Sequence, residues 1–287
     1  MDSIINVCFA FDNKYMQHTC VAINSMLINN NSRNIHIHVL DRVITRENRR
    51  ILECFVQDMG HNITFYKVSD DSIRDCPDDP RRPVSIDTYL KLLIPDYINN
   101  VDKIIYFDSD VIISDSIDDL WNTDLAHHIV GASIGAAPLY RRRNLGLSDD
   151  DPYYNTGVIV FDCAKWKKER IGEKCFDYMR QNVAVLERME QDVMNAVLRG
   201  FWKTVPIRFN AMLPLFDDPQ KHVGYLKQFD LSEIEEARYS PAVIHYTGNY
   251  DWKPWYSNSR STRKGDYLKY LKGSPYEGIE LREYRKV

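Results

Sequence analysis

The 287-residue chain reads as an α/β protein built on a central, mainly parallel sheet, with a C-terminal appendage. Three observations predict this. Strand and helix patterns alternate as βαβαβ over residues 4–68, the order that favours a parallel sheet covered by helices, with ligands at the carboxyl ends of the strands. A run rich in β-branched and aromatic residues, Ile104-Ile105-Tyr106-Phe107, has the composition of a buried strand but ends in two carboxylates, Asp108 and Asp110. After Ser257 the apolar patterning gives way to Arg, Lys and Tyr with Gly and Pro breaks, so residues 1–256 form the expected main unit and 257–287 a separate basic and aromatic tail.

Taken in order, residues 4–11 form a short apolar strand, and Asp12-Asn13-Lys14-Tyr15 a polar turn at its end. Cys20, Ala22, Ile23, Met26 and Leu27 then recur with helical spacing. Residues 35–40 alternate as a strand, Thr45 caps a helix carrying Ile51, Leu52 and Phe55, and residues 63–68 are strand again. A Pro- and charge-rich loop over 75–83 leads to a helix capped at Ser85 and closed by Pro95. Beyond the Asp108 strand, residues 117–121 read as a turn and 129–134 as a strand. The stretch 135–154 is a long loop in which an Arg141–Arg143 run is followed by an Asp149–Asp151 run, either a lid, binding loop or disordered segment or two charge runs that solvate each other. Asn155-Thr156-Gly157 reads as a tight turn where backbone can approach a ligand closely, ahead of the strand 158–161. One amphipathic helix is expected over 166–179, and another opens at Glu190-Gln191-Asp192.

An apolar content of 44% and a formal net charge of −4 describe a soluble globular chain and argue against nucleic acid as a partner. Six scattered cysteines with no C-x-x-C pair read as core residues or free thiols in a reducing compartment. The first strand begins at once, with no basic-then-apolar leader, and every stretch of membrane length contains a polar residue. A cytoplasmic protein is expected.

Asp108 and Asp110 carry the chemistry. In an extended chain residues two apart point to the same side, so the pair can converge on one divalent ion. Unpaired, the two carboxylates would repel each other beside an apolar wall. Alternatively the strand has ended and the aspartates begin a solvated turn; their place at the ligand edge of an α/β sheet favours the ion. Late in the chain, His245 follows the apolar pair Val243-Ile244, either as a hydrogen-bonded core residue or as a ligand. Gly248 and Lys253 just downstream supply the flexible turn and point charge that a diphosphate needs beside its metal.

The ordered markers F-A-F-D, S-I-D-T-Y-L-K, Y-F-D-S-D, Y-Y-N-T-G-V, E-Q-D and H-Y-T-G…K-P-W resemble those of the retaining glycosyltransferases of family 8. That family includes the galactosyl- and glucosyltransferases of bacterial lipopolysaccharide cores and the glycogenins, and the resemblance runs from Ile4 to about Trp255. It implies a GT-A-type, Rossmann-like nucleotide-sugar-binding fold and transfer of glucose or galactose from a UDP-sugar to a glycan or glycoconjugate acceptor. By the same resemblance, Ala10 and Asp12 lie at the uridine, and Asp108, Asp110 and His245 bind Mn²⁺, with Mg²⁺ as the alternative ion. Gly248 and Lys253 lie at the phosphates. Lys91, Asn155, Thr156, Glu190 and Gln191 grip the donor sugar, with Gln191 beneath the anomeric carbon. Lys91 stands where relatives often carry Arg, and Glu190 where Asp is common.

Two other readings fit parts of the pattern. A nucleotidyltransferase also sets acidic pairs at strand ends, but it needs a Gly-rich basic loop after the first strand, and Phe11-Asp12-Asn13-Lys14 is not one. A catalytically silent glycan-binding module could keep the fold. In the tail, cations such as Arg260, Arg263, Lys264, Lys269, Lys272, Arg282, Arg285 and Lys286 alternate with Tyr256, Tyr267, Tyr270, Tyr276 and Tyr284. The alternation suits peripheral contact with an anionic bilayer, on the inner face of the membrane; a solvated tail, or one packed on its own domain, is the competing reading.

Overall fold

The computed structural model describes residues 4–77 and 85–285. A seven-stranded sheet, in the order β3-β2-β1-β4-β7-β6-β8, is formed by β1 (Ile5–Ala10), β2 (Ile35–Asp41), β3 (Asn62–Lys67), β4 (Lys103–Phe107), β6 (Val130–Ile134), β7 (Tyr154–Asp162) and β8 (Trp202–Thr204). A three-stranded sheet, β5-β10-β9, is formed by β5 (Val111–Ile113), β9 (Ala211–Met212) and β10 (Val243–His245). All pairings in the large sheet are parallel except those of β7, which runs antiparallel to β4 and β6. The expected βαβαβ opening is therefore present, with α1 (Met16–Asn29) and α2 (Arg46–Asp58) as its helices. Thr45 caps α2 as predicted, accepting from the Asn48 N–H at 3.2 Å.

Both faces of the large sheet are buried, which is why its strands read as continuous apolar runs rather than alternating ones. The two-residue period still sorts the side chains. Val7, Phe9, Ile105, Phe107, Val158 and Val160 enter one core with α1 and α2 residues. Cys8, Ala10, Ile104, Tyr106, Ile159 and Phe161 enter the other. Asp108 continues the even-numbered series of β4, so it emerges on the second face beside Tyr106. All six cysteines are free, and only Cys54 is exposed.

Several local expectations change. The expected helix capped at Ser85 is present as a 3₁₀ helix, Ile86–Leu93, but Pro95 falls inside the helical turn that follows it, Ile94–Tyr97. The helix expected over 166–179 is two helices, Cys163–Lys168 and Ile171–Asn182, separated by Arg170 in a left-handed conformation. Residues 118–121 form a helical turn, and Leu139–Asn144 is a short helix inside the long loop, where Arg143 pairs with Asp149. Asn155-Thr156-Gly157 is not a turn but the start of β7, because Asp108 and Phe107 pair with this edge of the strand. The loop expected over 75–83 lies mostly outside the described residues, as does Lys286.

The largest departure concerns the tail, which packs against α1 instead of standing apart. α1 is buried on nearly all sides, and its polar residues need partners. Asn24 donates to the carbonyls of Tyr270 and Lys272, and Asn29 donates to the Ile113 carbonyl and the Tyr270 hydroxyl. The helix Lys264–Leu271 and its C-cap Lys272 supply all of these partners but the Ile113 carbonyl, and the helix buries Tyr267 and Tyr270 to 2% exposure, in one cluster with Val21, Ile112, Ile244 and Trp255. These two tyrosines are therefore unavailable to a bilayer surface, and Arg260, Arg263 and Arg285 pair with neighbouring carboxylates. No helix among the described residues is long and apolar enough to cross a membrane. A chain ending at Tyr256 is expected to unfold at a clearly lower urea concentration than the full chain, since losing buried aromatic side chains costs about 3–5 kcal/mol apiece. Equal midpoints would show that the tail contributes nothing to the fold.

Candidate active site

The site forms where the two sheets meet. β4 stops at Phe107, and three residues later the chain resumes as β5 in the small sheet. Each of the three linking residues is tied to a different element. The Asp108 N–H donates to the Gly157 carbonyl of β7 at 2.8 Å, the Ser109 hydroxyl accepts from Thr19 of α1 at 2.8 Å, and the Asp110 carbonyl accepts from the Tyr246 N–H at 2.9 Å. β10 runs antiparallel to β5 with His245 opposite Val111, a register that sets the imidazole beside the Asp110 carboxylate.

Asp108, Asp110 and His245 each offer one ligand atom, and the three atoms lie within 4.8 Å of one another. His245 Nε2 is 3.3 Å from Asp110 Oδ1 and 3.8 Å from Asp108 Oδ2. The opposite oxygens are already tied. Asp108 Oδ1 accepts from the Tyr106 hydroxyl at 2.7 Å and Lys91 Nζ at 3.1 Å, and Asp110 Oδ2 accepts from Lys253 Nζ at 2.5 Å. Two carboxylate oxygens and an imidazole nitrogen thus face one point while their other polar atoms are satisfied behind them. This is a fitting donor set for a divalent cation that accepts mixed oxygen and imidazole ligands. The wall behind it is bare glycine: a Cβ on Gly157 would lie 2.9 Å from Asp108 Oδ2 and overlap the His245 ring.

The electrostatics hold Asp110 and Lys91 in their charged forms. Burial alone would raise the Asp110 carboxyl, but Lys253 and His245 beside it outweigh that and keep it well below the usual carboxylate range. Burial pulls the Lys91 ammonium down, and the opposing charges of Asp108 and Glu190 more than restore it. Lys91 is 1% exposed and bridges Asp108 to Glu190, whose Oε1 is 2.8 Å away.

A cavity of about 160 Å³ opens beside the trio. From the sequence-predicted set it gathers Ala10 and Asp12 at the end of β1, Asp108, Asp110, Gly248 and Lys253. Asp12 Oδ1 accepts from the Lys14 and Tyr15 N–H groups and so shapes the turn into α1. Gly248 holds φ +104°, open to glycine and unfavourable to other residues. Ser85, Thr88 and Tyr15 also line the cavity and were not singled out from sequence. For Ser85 and Thr88 the signal lay in the spacing of S-I-D-T-Y-L-K: in a 3₁₀ helix residues three apart eclipse, which aligns Ser85, Thr88 and Lys91 on one side.

The remaining predicted residues form a second group, which Lys91 joins to Asp108 through Glu190. Thr156 Oγ1 is 3.3 Å from Glu190 Oε1, and Asn155 Nδ2 donates to Gln191 Oε1 at 3.0 Å. Gln191 Nε2 donates to the Tyr153 hydroxyl, which donates to Asp192. Asn210, fully buried and missed in the sequence, joins this group to the trio through His245 Nδ1 and Asn155. Nothing near residue 210 in the sequence marks it out.

The family model of glycosyl transferase family 8 matches residues 6–259. Among curated proteins, the general stress protein A of Bacillus subtilis is 27% identical over 287 residues, covering 97% of this chain and 96% of that protein. The lipopolysaccharide 1,2-glucosyltransferase of Escherichia coli K12 is 23% identical, covering 99% and 82%. Among solved structures, the galactosyltransferase LgtC, crystallised with donor and acceptor sugar analogues, superposes with a TM-score of 0.82 at 27% identity, covering 96% of this chain and 98% of that one.

The glycine wall supplies a direct test of the trio. Gly157→Ala should push the His245 ring aside and weaken binding of a divalent cation at the trio at least tenfold, while overpacking costs about 1–3 kcal/mol of stability. Mn²⁺ titration followed by electron paramagnetic resonance would read this, and unchanged affinity would show that His245 is not where the ion is held.

Proposed function

The chain belongs to glycosyltransferase family 8, and on that footing we propose that it transfers glucose or galactose from a UDP-sugar to a glycan or glycoconjugate acceptor, with Mn²⁺ and with retention at the anomeric carbon. The observation that carries this reading is the convergence of Asp108 Oδ2, Asp110 Oδ1 and His245 Nε2 beside a cavity that Lys253 and Gly248 border. The uridine is assigned to Ala10 and Asp12, and the diphosphate to the side of Gly248 and Lys253. Lys253 Nζ, held by Asp110 and by the Tyr246 carbonyl at 2.6 Å, is positioned to exchange one of these partners for a phosphate oxygen. Ser85 and Thr88 offer hydroxyls at the same cavity. Mn²⁺ bound at the trio would neutralise the charge that develops on the departing diphosphate.

The hexose is assigned to the group beyond Lys91. Asn155, Thr156, Glu190 and Gln191 offer amide, hydroxyl and carboxylate partners for sugar hydroxyls. A glycosyl-enzyme intermediate needs a carboxylate free to act as nucleophile. Glu190 is engaged by Lys91 and Thr156, and Asp192 by Tyr153 and the N–H groups of Glu187 and Arg188. These commitments favour front-face transfer. The bond from the anomeric carbon to the diphosphate oxygen breaks as the bond to the acceptor oxygen forms on the same face, and the leaving phosphate takes the acceptor proton. Gln191 lies beneath the anomeric carbon, where its carbonyl dipole faces the positive charge of an oxocarbenium-like transition state. The acceptor is assigned to the groove bounded by Gly135, Tyr153 and Arg188, since Tyr153 lines it and is bonded to Gln191. Residues 1–256 carry all these groups, and the helix Lys264–Leu271 of the tail braces them.

A screen of UDP-sugars for Mn²⁺-dependent hydrolysis tests the reading. UDP-glucose or UDP-galactose should be turned over, and Asp110→Asn should reduce turnover about 100-fold or more, the scale of loss when developing charge goes unstabilised. Near-normal turnover by that variant, or hydrolysis of a UDP-N-acetylhexosamine alone, would contradict it.

A further inference from the structure

The hydrogen bonds from His245 to Asp192 form one chain whose direction is set by groups that have no choice of role. The Gly157 N–H can only donate, so the Asn155 atom it meets at 3.0 Å is Oδ1. Asn210 meets the same oxygen at 2.8 Å and must turn its Nδ2 toward it. Asn210 Oδ1 is then the atom facing His245 Nδ1 at 2.8 Å, which places the imidazole proton on Nδ1. His245 Nε2 is left facing two carboxylate oxygens, so either a proton or a cation must sit at that nitrogen.

The other branch is set in the same way. Gln191 Oε1 accepts from the Thr156 N–H at 3.3 Å and from Asn155 Nδ2 at 3.0 Å. Its Nε2 therefore points to the Tyr153 hydroxyl at 2.9 Å, and that hydroxyl donates to Asp192 Oδ1 at 2.6 Å. Asn155 is the junction of the two branches, and Asn210 connects it to the histidine.

We propose that Asn210 is a positioning residue with two outputs. It holds His245 in the Nδ1–H tautomer, with Nε2 open to a cation, and it gives Asn155 Oδ1 a second donor beside the Gly157 N–H, which keeps the Asn155 amide aligned on the Gln191 carbonyl. Fully buried at the end of the 3₁₀ turn Ile207–Asn210, it acts through its neighbours and not by touching a substrate. The second output rests on the assignment of Gln191 to the donor sugar; the first does not. Carboxylate and carbonyl partners are what orient a ligating histidine and select its free nitrogen, and their loss typically costs 10–100-fold in metal affinity.

Two substitutions separate the outputs. Asn210→Asp keeps an acceptor for His245 but sets a carboxylate oxygen against Asn155 Oδ1, which the Gly157 N–H holds in place. Asn210→Leu removes both partners. Imidazole ¹⁵N shifts of the metal-free full chain at mildly alkaline pH should show His245 as the Nδ1–H form in the wild type and as a mixture in the Leu variant. Mn²⁺ titrated in the presence of UDP should bind the Asp variant as tightly as the wild type and the Leu variant about 10–100-fold more weakly. UDP-sugar turnover should fall at least tenfold in both. A wild-type Nε2–H tautomer, or equal loss of Mn²⁺ binding in the two variants, would overturn the proposal. A wild type with the Nδ1–H tautomer that takes up no Mn²⁺ would uphold the tautomer assignment and overturn the proposed function instead.

Discussion

Lys91 is the interaction on which the rest depends. An ammonium with 1% exposure is costly to bury, and breaking such a pair by removing one partner typically destabilises by about 3–5 kcal/mol. Here the charge is matched on both sides, by Asp108 and by Glu190, with the Thr156 carbonyl at 3.2 Å as a third partner. Those partners belong to the end of β4, the helix Glu190–Val197 and β7. One buried cation therefore joins the acidic pair to the amide group and fixes which oxygen of Asp108 remains free.

Lys253 performs the same task for Asp110 from the opposite side, reached by the loop after β10. Its neighbour Trp255 stacks on His18 with ring centres 3.7 Å apart, and the His18 ring shares the Tyr267 hydroxyl with Gln17. The tail is thereby coupled through aromatic packing to the side of the cavity that Gly248 and Lys253 line. Burial holds the His18 imidazole down to about 3, so it remains an uncharged spacer in this stack.

Much of the site was legible in the sequence because its residues come in short, chemically unusual strings: two aspartates closing a buried strand, a histidine after an apolar pair, Glu-Gln-Asp at a helix start. The parallel opening of the sheet followed from alternating periods in the same way. What was not legible depends on contacts remote in sequence. Asn210 gains its place only when the turn before β9 meets β7 and β10. The tail's tyrosines look like a surface pattern until the buried asparagines of α1 are known to need partners. Asn155-Thr156-Gly157 has the composition of a turn, yet it is strand because β4 pairs with it, and its glycine is required by a histidine 88 residues away in the chain.

Crystals of the full chain soaked with Mn²⁺ and UDP and measured at the manganese absorption edge would address the arrangement most directly. A single anomalous peak within coordination distance of Asp108 Oδ2, Asp110 Oδ1 and His245 Nε2, with Lys91 still bridging Asp108 and Glu190, is the predicted result. A peak elsewhere, or none between the three side chains while UDP is bound, would contradict it.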